Sequence, residues 1–178
     1  MLYMFLAEGF EETEAIGCLD VIRRAGLEIK TVSIAEKTVI GSHGVGINAD
    51  ILKAEFDFDN MEGIILPGGM PGTTNLQNDE TVQNAISICM EKGLLLAAIC
   101  AAPMVLGVRA VLEGKSAVCY PGFEKYLKGA DVKSDLCVSD GNVITAKGAG
   151  ASMLFGAAIV DYFKAGEGRK ILDLMQHA

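Results

Sequence analysis

The sequence predicts an α/β domain of the doubly wound kind with a mostly parallel sheet, and three observations carry that expectation. Short runs that are apolar throughout, at 2–7, 63–66 and 94–99, read as strands buried on both faces. Stretches with helical spacing of apolar residues alternate with them, at 11–25, 81–92 and 148–164. Four strand ends then break into residues with chemical or conformational capacity: Glu8-Gly9, Pro67-Gly68-Gly69, Cys100 and Lys147-Gly148. In a parallel sheet those ends gather on one edge, where open α/β folds place their sites.

Taken in order, residues 2–7 form a first strand and 11–25 a helix. The helix is acidic at its start, where the macrodipole favours carboxylates, and is stopped by Gly26. Residues 28–34 alternate apolar and polar and read as a second strand. Short β-type pieces between 38 and 51 surround Gly41-Ser42-His43-Gly44, the pattern of a small hairpin. A buried strand at 63–66 is broken by Pro67-Gly68-Gly69, and 81–92 is a helix with Val82, Ala85, Ile86 and Cys89 on one stripe. The strand at 94–99 turns at Cys100 into a helix with Pro103 in its first turn, where proline is tolerated. Later strands are expected at 116–119 and 142–146, with a weaker one at 132–138. A helix opened by Gly148-Ala149-Gly150 runs to about residue 164, and a short one closes the chain at 167–175. No repeat, low-complexity tract or linker interrupts this, so residues 1–178 read as a single domain.

Composition narrows the function classes. The chain is 51% apolar and 21% charged, ample for a large core, and carries a formal charge of -8. Basic residues pair only at Arg23-Arg24 and Arg169-Lys170, which argues against nucleic acid as a partner. No apolar run approaches the ~18 residues of a membrane span. The N-terminal run is short and lacks a basic region, so it reads as a strand rather than a signal peptide. A cytoplasmic location is the expectation. Five cysteines, odd in number and without a CxxC pair, read as free thiols in a reducing compartment.

The candidate chemistry centres on Cys100. At a sharp strand-to-helix turn it would sit beside unsatisfied N–H groups at the positive end of a helix, which lowers a thiol pKa below the reference of about 8.5. Apolar neighbours push the other way by desolvation, and a buried structural cysteine is the alternative reading. Glu8, Glu11, Glu12 and Glu14 offer a carboxyl to face the sulfur. At 100° per residue Glu11 falls in the core stripe of the first helix and Glu14 at its edge, so spacing leaves both open. The glycines after Pro67, with the amide of Ala101, could form an anion-binding pocket, or simply a turn. His43, in its loop, is the one credible histidine, since His177 lies next to the C-terminus. Two separated histidines and scattered thiols predict no metal site, and no phosphate-loop or dinucleotide motif predicts a cofactor.

Read together, residues 7–14 (AEGFEETE), 20–26 (DVIRRAG), 66–69 (LPGG), 97–103 (AAICAAP) and 147–152 (KGAGAS) resemble the DJ-one/ThiJ/PfpI family of the class I glutamine amidotransferase-like superfamily. The likeness is nearest to the branch of the Parkinsonism-associated protein deglycase and its bacterial relatives, and spans nearly the whole chain. It implies a flavodoxin-like three-layer α/β/α sandwich and a homodimer. It implies that Cys100 is a reactive cysteine in strained backbone, that Glu14 is the protonated carboxyl bonded to its sulfur, and that the Gly69 and Ala101 amides help form the anion pocket. It also brings the His43 loop towards a partner's active site.

Two departures shape the functional expectation. Members described as glyoxalases or deglycases typically have a histidine where Tyr120 stands here, and tyrosine, with a reference pKa of about 10, shuttles protons poorly at neutral pH. The protease-like branch has a histidine after the cysteine, where Ala101 stands here, which disfavours a peptidase. The leading expectation is a protein of oxidative or carbonyl stress response whose Cys100 is oxidation-sensitive. The alternatives are a cofactor-independent glyoxalase or deglycase acting on methylglyoxal or glycated groups, with His43 or Tyr120 as accessory groups, and a chaperone-like or partner-binding dimer without catalysis.

Overall fold

The structure, a computed structural model, describes residues 1–177. In chain order its elements begin with β1 (Leu2–Leu6), α1 (Glu12–Arg24), β2 (Ile29–Ser33), β3 (Thr38–Ile40), β4 (Gly46–Asn48) and β5 (Ile51–Leu52). β6 (Gly63–Leu66), α2 (Gly72–Asn78), α3 (Glu80–Lys92), β7 (Leu95–Ile99) and α4 (Pro103–Gly107) follow. The chain continues through β8 (Ser116–Ala117), β9 (Asp131–Val132), β10 (Cys137–Asp140), β11 (Val143–Ala146), α5 (Ser152–Phe163) and α6 (Glu167–Leu174).

A seven-stranded sheet runs in the order β10-β11-β7-β6-β1-β2-β5, parallel except for β10 at its edge. Strand periodicity divides the core into two. Leu2, Met4 and Leu6 of β1 face one side, packing with Ile22 of α1, Phe155 of α5 and Leu172 of α6. Tyr3 and Phe5 face the other, with Leu76 of α2, Val82 and Ile86 of α3 and Val105 of α4. Helices therefore cover both faces, the expected doubly wound α/β sandwich. β3 and β4 form the expected hairpin outside the sheet. No helix among the described residues is long and apolar enough to cross a membrane.

One expectation changes, and two features were not marked in the sequence. Residues 116–119 do not join the main sheet: β8 pairs with β9 instead, and the stretch 132–138 divides between β9 and β10. The backbone after β8 is taken by other partners, Val118 N–H donating to Thr145 Oγ1 and Tyr120 N–H to the Cys100 carbonyl. α2 forms where GTTNLQN has little helical propensity, held by burial of Thr73 and Leu76. α4 is only five residues long.

From β1 the chain steps to β2 on one side and returns to β6 and β7 on the other, making a topological switch point between β1 and β6. The carboxyl ends of β1, β6 and β7 are therefore neighbours on one edge. Each carries residues marked in the sequence.

Candidate active site around Cys100

β7 is buried at all five positions and its register with β6 and β11 is fixed, so the turn that follows has a defined place. Cys100 sits at that turn with φ 63°, the left-handed region that a side chain adopts at a cost of about 1–3 kcal/mol. The conformation is held on both sides of the residue. Cys100 N–H donates to the Ala146 carbonyl at 2.9 Å, and the Cys100 carbonyl accepts from Tyr120 N–H at 2.8 Å. The thiol is half-buried rather than presented openly to solvent.

Glu14 is the carboxyl at the sulfur. It is 1% exposed, hydrogen-bonds the Cys100 thiol, and its Oε2 accepts from Gly68 N–H at 2.9 Å. The amides of Ala101 and Gly69 also act on the sulfur as hydrogen-bond donors. Gly68 allows this approach: a Cβ there would lie 2.6 Å from both Cys100 Cβ and Glu14 Oε2. Gly69, with φ +86°, is the residue type that turns the chain at this point without strain. Of the carboxyls left open by spacing, Glu11 is the N-cap of α1, its side chain accepting from Glu14 N–H at 2.6 Å.

Burial pushes the Glu14 carboxyl up to about 7, helped by the nearby Glu11 charge and opposed by the hydrogen bonds from Cys100 and Gly68. The expectation of a depressed cysteine pKa is corrected. Burial, then the charge of Glu14 and its hydrogen bond, push the Cys100 thiol up to about 12 against the Ala101 and Gly69 amides. The physical reason is that burial among apolar groups and the neighbouring Glu14 outweigh the two amides. Cys100 and Glu14 perturb each other and so titrate as a pair. A carboxylate with a pKa near neutrality, bonded to a nucleophile, has the properties of a general base, and the two amides can hold negative charge on the sulfur or on oxygens attached to it.

The other marked residues lie around this centre. Tyr120 keeps its backbone at Cys100, while its ring is 51% exposed and packs beside Gly148. An open cleft of about 410 Å³ separates Tyr120, Pro121 and Leu136 from the Lys147–Ala151 turn. Leu136 as a cleft wall has no signal in its local sequence. His43 is not brought to the thiol in this chain. Its Nδ1 lies 2.9 Å from Glu12 Oε2 and 3.7 Å from Glu11 Oε1, on an exposed loop. Burial acts to raise the Glu12 carboxyl, but hydrogen bonds from the His43 ring and the His43 and Val45 amides outweigh it and hold the group down at about 2. Glu12 in turn raises His43. Glu11, Glu12 and His43 place ligand atoms within 4.8 Å of one another, the set among the described residues that could hold a metal ion. Both Glu12 oxygens already accept hydrogen bonds within the loop.

The chain resembles known proteins over this whole framework. The Drosophila melanogaster protein dj-1beta is 34% identical over 161 residues, covering 89% of this chain and 86% of that one. Its crystal structure superposes with a TM-score of 0.93 at 31% identity, over 99% of this chain and 97% of that one. Oxidized Toxoplasma gondii DJ-1 gives a TM-score of 0.94 at 28% identity, over 99% and 98% of the two chains. A Pyrococcus abyssi protein named as a deglycase is 29% identical over 79% of this chain and 86% of its own length. Two Arabidopsis thaliana DJ-1 homologs, B and A, match at 34% and 32% over 88% of this chain, which spans only 36% and 41% of their length. The family model described as DJ-1/PfpI matches residues 1–162, a span that takes in the Glu14 helix, the Gly68-Gly69 turn and the Cys100 elbow. The chain belongs to the DJ-1/PfpI family.

Proposed function

We propose that this protein is a sensor or effector of oxidative and carbonyl stress that works through Cys100. One observation carries the reading: a cysteine in left-handed backbone has a buried carboxyl and two backbone amides directed at its sulfur. Oxidation by hydrogen peroxide then follows simply. As the thiol proton passes to Glu14, Sγ attacks one peroxide oxygen, the O–O bond breaks and an S–O bond forms. The departing hydroxide takes the proton from Glu14 and leaves as water. Sulfur loses two electrons and peroxide gains them. A second peroxide carries the sulfenate to a sulfinate. The Gly69 and Ala101 amides and protonated Glu14 are donors for the sulfinate oxygens, which favours this product over further oxidation.

The test is mild peroxide followed by peptide mass spectrometry. Cys100 is expected to reach the sulfinate first. Cys18, Cys89 and Cys119 are buried and serve as internal references. Oxidation that begins at another thiol removes the proposal.

A second reading, an enzyme acting on small reactive aldehydes, draws on the similarity to the Pyrococcus deglycase. There the Cys100 sulfur would add to the aldehyde carbonyl to give a hemithioacetal, with Glu14 moving the proton. Tyr120 is a weak substitute for a proton-carrying histidine, which is why this reading ranks second. Conversion of methylglyoxal to lactate, lost in Cys100→Ala, would establish it.

A further inference from the structure

The N-terminus of α1 is joined to the sulfur pocket in an unusual way. In an ordinary capping box, the acidic residue three positions into the helix returns its side chain to the N–H of the capping residue. Here Glu14 holds that position, but its carboxyl accepts from Gly68 N–H. The N–H of the capping residue, Glu11, donates instead to the Gly68 carbonyl at 2.9 Å. Gly68 is thus held at both ends, its N–H by Glu14 and its carbonyl by Glu11.

The peptide plane makes this consequential. The Gly68 carbonyl and the Gly69 N–H belong to one planar unit and point in opposite directions. A donor that fixes the carbonyl therefore fixes the direction of the Gly69 N–H, which faces the Cys100 sulfur. The Glu11 carboxylate makes a separate contact, capping the first turn of α1 by accepting from Glu14 N–H at 2.6 Å, and its side chain is only 14% exposed.

We propose that Glu11 is a positioning residue for the Cys100–Glu14 pair: its carboxylate caps the turn that carries Glu14 and sets a negative charge beside it, and so keeps in place the backbone N–H that locks the Gly68–Gly69 peptide with its amide aimed at the sulfur. The inference rests on the reading of Cys100 as the reactive thiol. The charged and titratable groups facing the pair agree with it. Glu14 meets Glu11 from its own helix start and Cys100 from the end of β7, while Glu11 meets His43 from the β3–β4 loop, with Glu12 bonded to that histidine. The negative charge of Glu11 strengthens the hold of Glu14 on its proton. The exposed His43, when protonated, offsets part of that charge.

The experiment compares the parent with Glu11→Gln, Glu11→Asp and Glu11→Ala. Iodoacetamide labelling of Cys100 is followed against pH by peptide mass spectrometry. The carboxyl C=O infrared band, assigned to Glu14 by its absence in Glu14→Gln, is titrated in parallel. Glu11→Gln keeps an acceptor for Glu14 N–H but removes the charge, so both midpoints are expected to move to lower pH by about one unit. Glu11→Asp restores charge and cap and is expected to follow the parent. Glu11→Ala is expected to show the shift and also to label about tenfold more slowly, because without its cap the first turn of α1, which carries both Glu14 and the backbone N–H that holds the Gly68 carbonyl, is no longer fixed. A cap with only a structural role would lower the melting temperature and leave the midpoints in place. Should Glu11→Ala fail to fold, Glu11→Gln decides alone: parent-like midpoints in both readouts overturn the proposal. An unreactive Cys100 in the parent would instead defeat the functional reading, and the Glu14 band would still decide the role of Glu11.

Discussion

Gly68 bears the tightest geometric demand in the site. A methyl group there meets Cys100 Cβ and Glu14 Oε2 at 2.6 Å and the Ile99 carbonyl at 2.9 Å, none of which is the free end of a flexible exposed chain. Gly68→Ala must therefore displace the pocket wall. The expected outcome is at least about a tenfold slower peroxide oxidation of Cys100 in a mass-spectrometric time course, with about 1–3 kcal/mol lost in urea unfolding, the usual cost of overpacking. Much of this centre was legible at the residue level. A cysteine after an apolar strand and a glycine pair after another mark positions where backbone must come close. The choice between Glu11 and Glu14 was not legible from helical spacing, for a physical reason. Glu11 has φ -88° and ψ 121°, extended rather than helical, so the 100° wheel does not apply to it. The cysteine pKa was misjudged because a sequence shows that a helix follows the cysteine but not how deeply the thiol is buried or how close the Glu14 carboxyl comes.

At the scale of elements, α3 shows that stability and site chemistry can be separated. Asp79 caps it, Oδ1 accepting from Thr81 N–H at 2.9 Å and Val82 N–H at 3.1 Å, while Oδ2 takes a 2.6 Å ion pair from Lys53. Asp79 is 8% exposed, so losing its carboxylate leaves two N–H groups and an ammonium without their partner. Asp79→Ala is expected to cost about 1–3 kcal/mol in urea unfolding while Cys100 remains the first thiol oxidised by peroxide. Elements of this kind, an amphipathic stripe with a cap or an uninterrupted apolar run, were readable because local and tertiary preferences coincide. α2 and the 116–138 segment were not. In α2 tertiary burial overrides weak propensity, and after β8 the backbone bonds to Thr145 and Cys100 rather than to a strand.

For the molecule as a whole, the buried pair makes folding stability depend on pH in a recognisable window. The Glu14 carboxyl rises from 4.5 to about 7 on folding, so between those values the folded chain binds more protons than the unfolded one. Stability from this group is complete below about pH 4.5 and is lost as pH rises through about 7, in total about 3 kcal/mol. Other perturbed groups act elsewhere: Glu12, held at about 2, loses its contribution on acidification, and Cys100, at about 12, does so only in strong base. His43 is also raised and is fully exposed, so a single stability curve would mix the two groups near neutrality. Glu14→Gln separates them. The glutamine carbonyl can accept from Gly68 N–H and its NH₂ can face the sulfur, which copies the protonated acid without titrating. Subtracting the variant's stability from the parent's, by urea unfolding at successive pH values, cancels His43 and leaves the Glu14 contribution. The difference is expected to fall steadily between about pH 4.5 and 7 and to level off above. A flat difference across that interval would mean that the carboxyl gives up its proton as readily in the folded protein as in water, and Glu14 would then be only a weak base for the thiol and no protonated donor for a sulfinate at neutral pH.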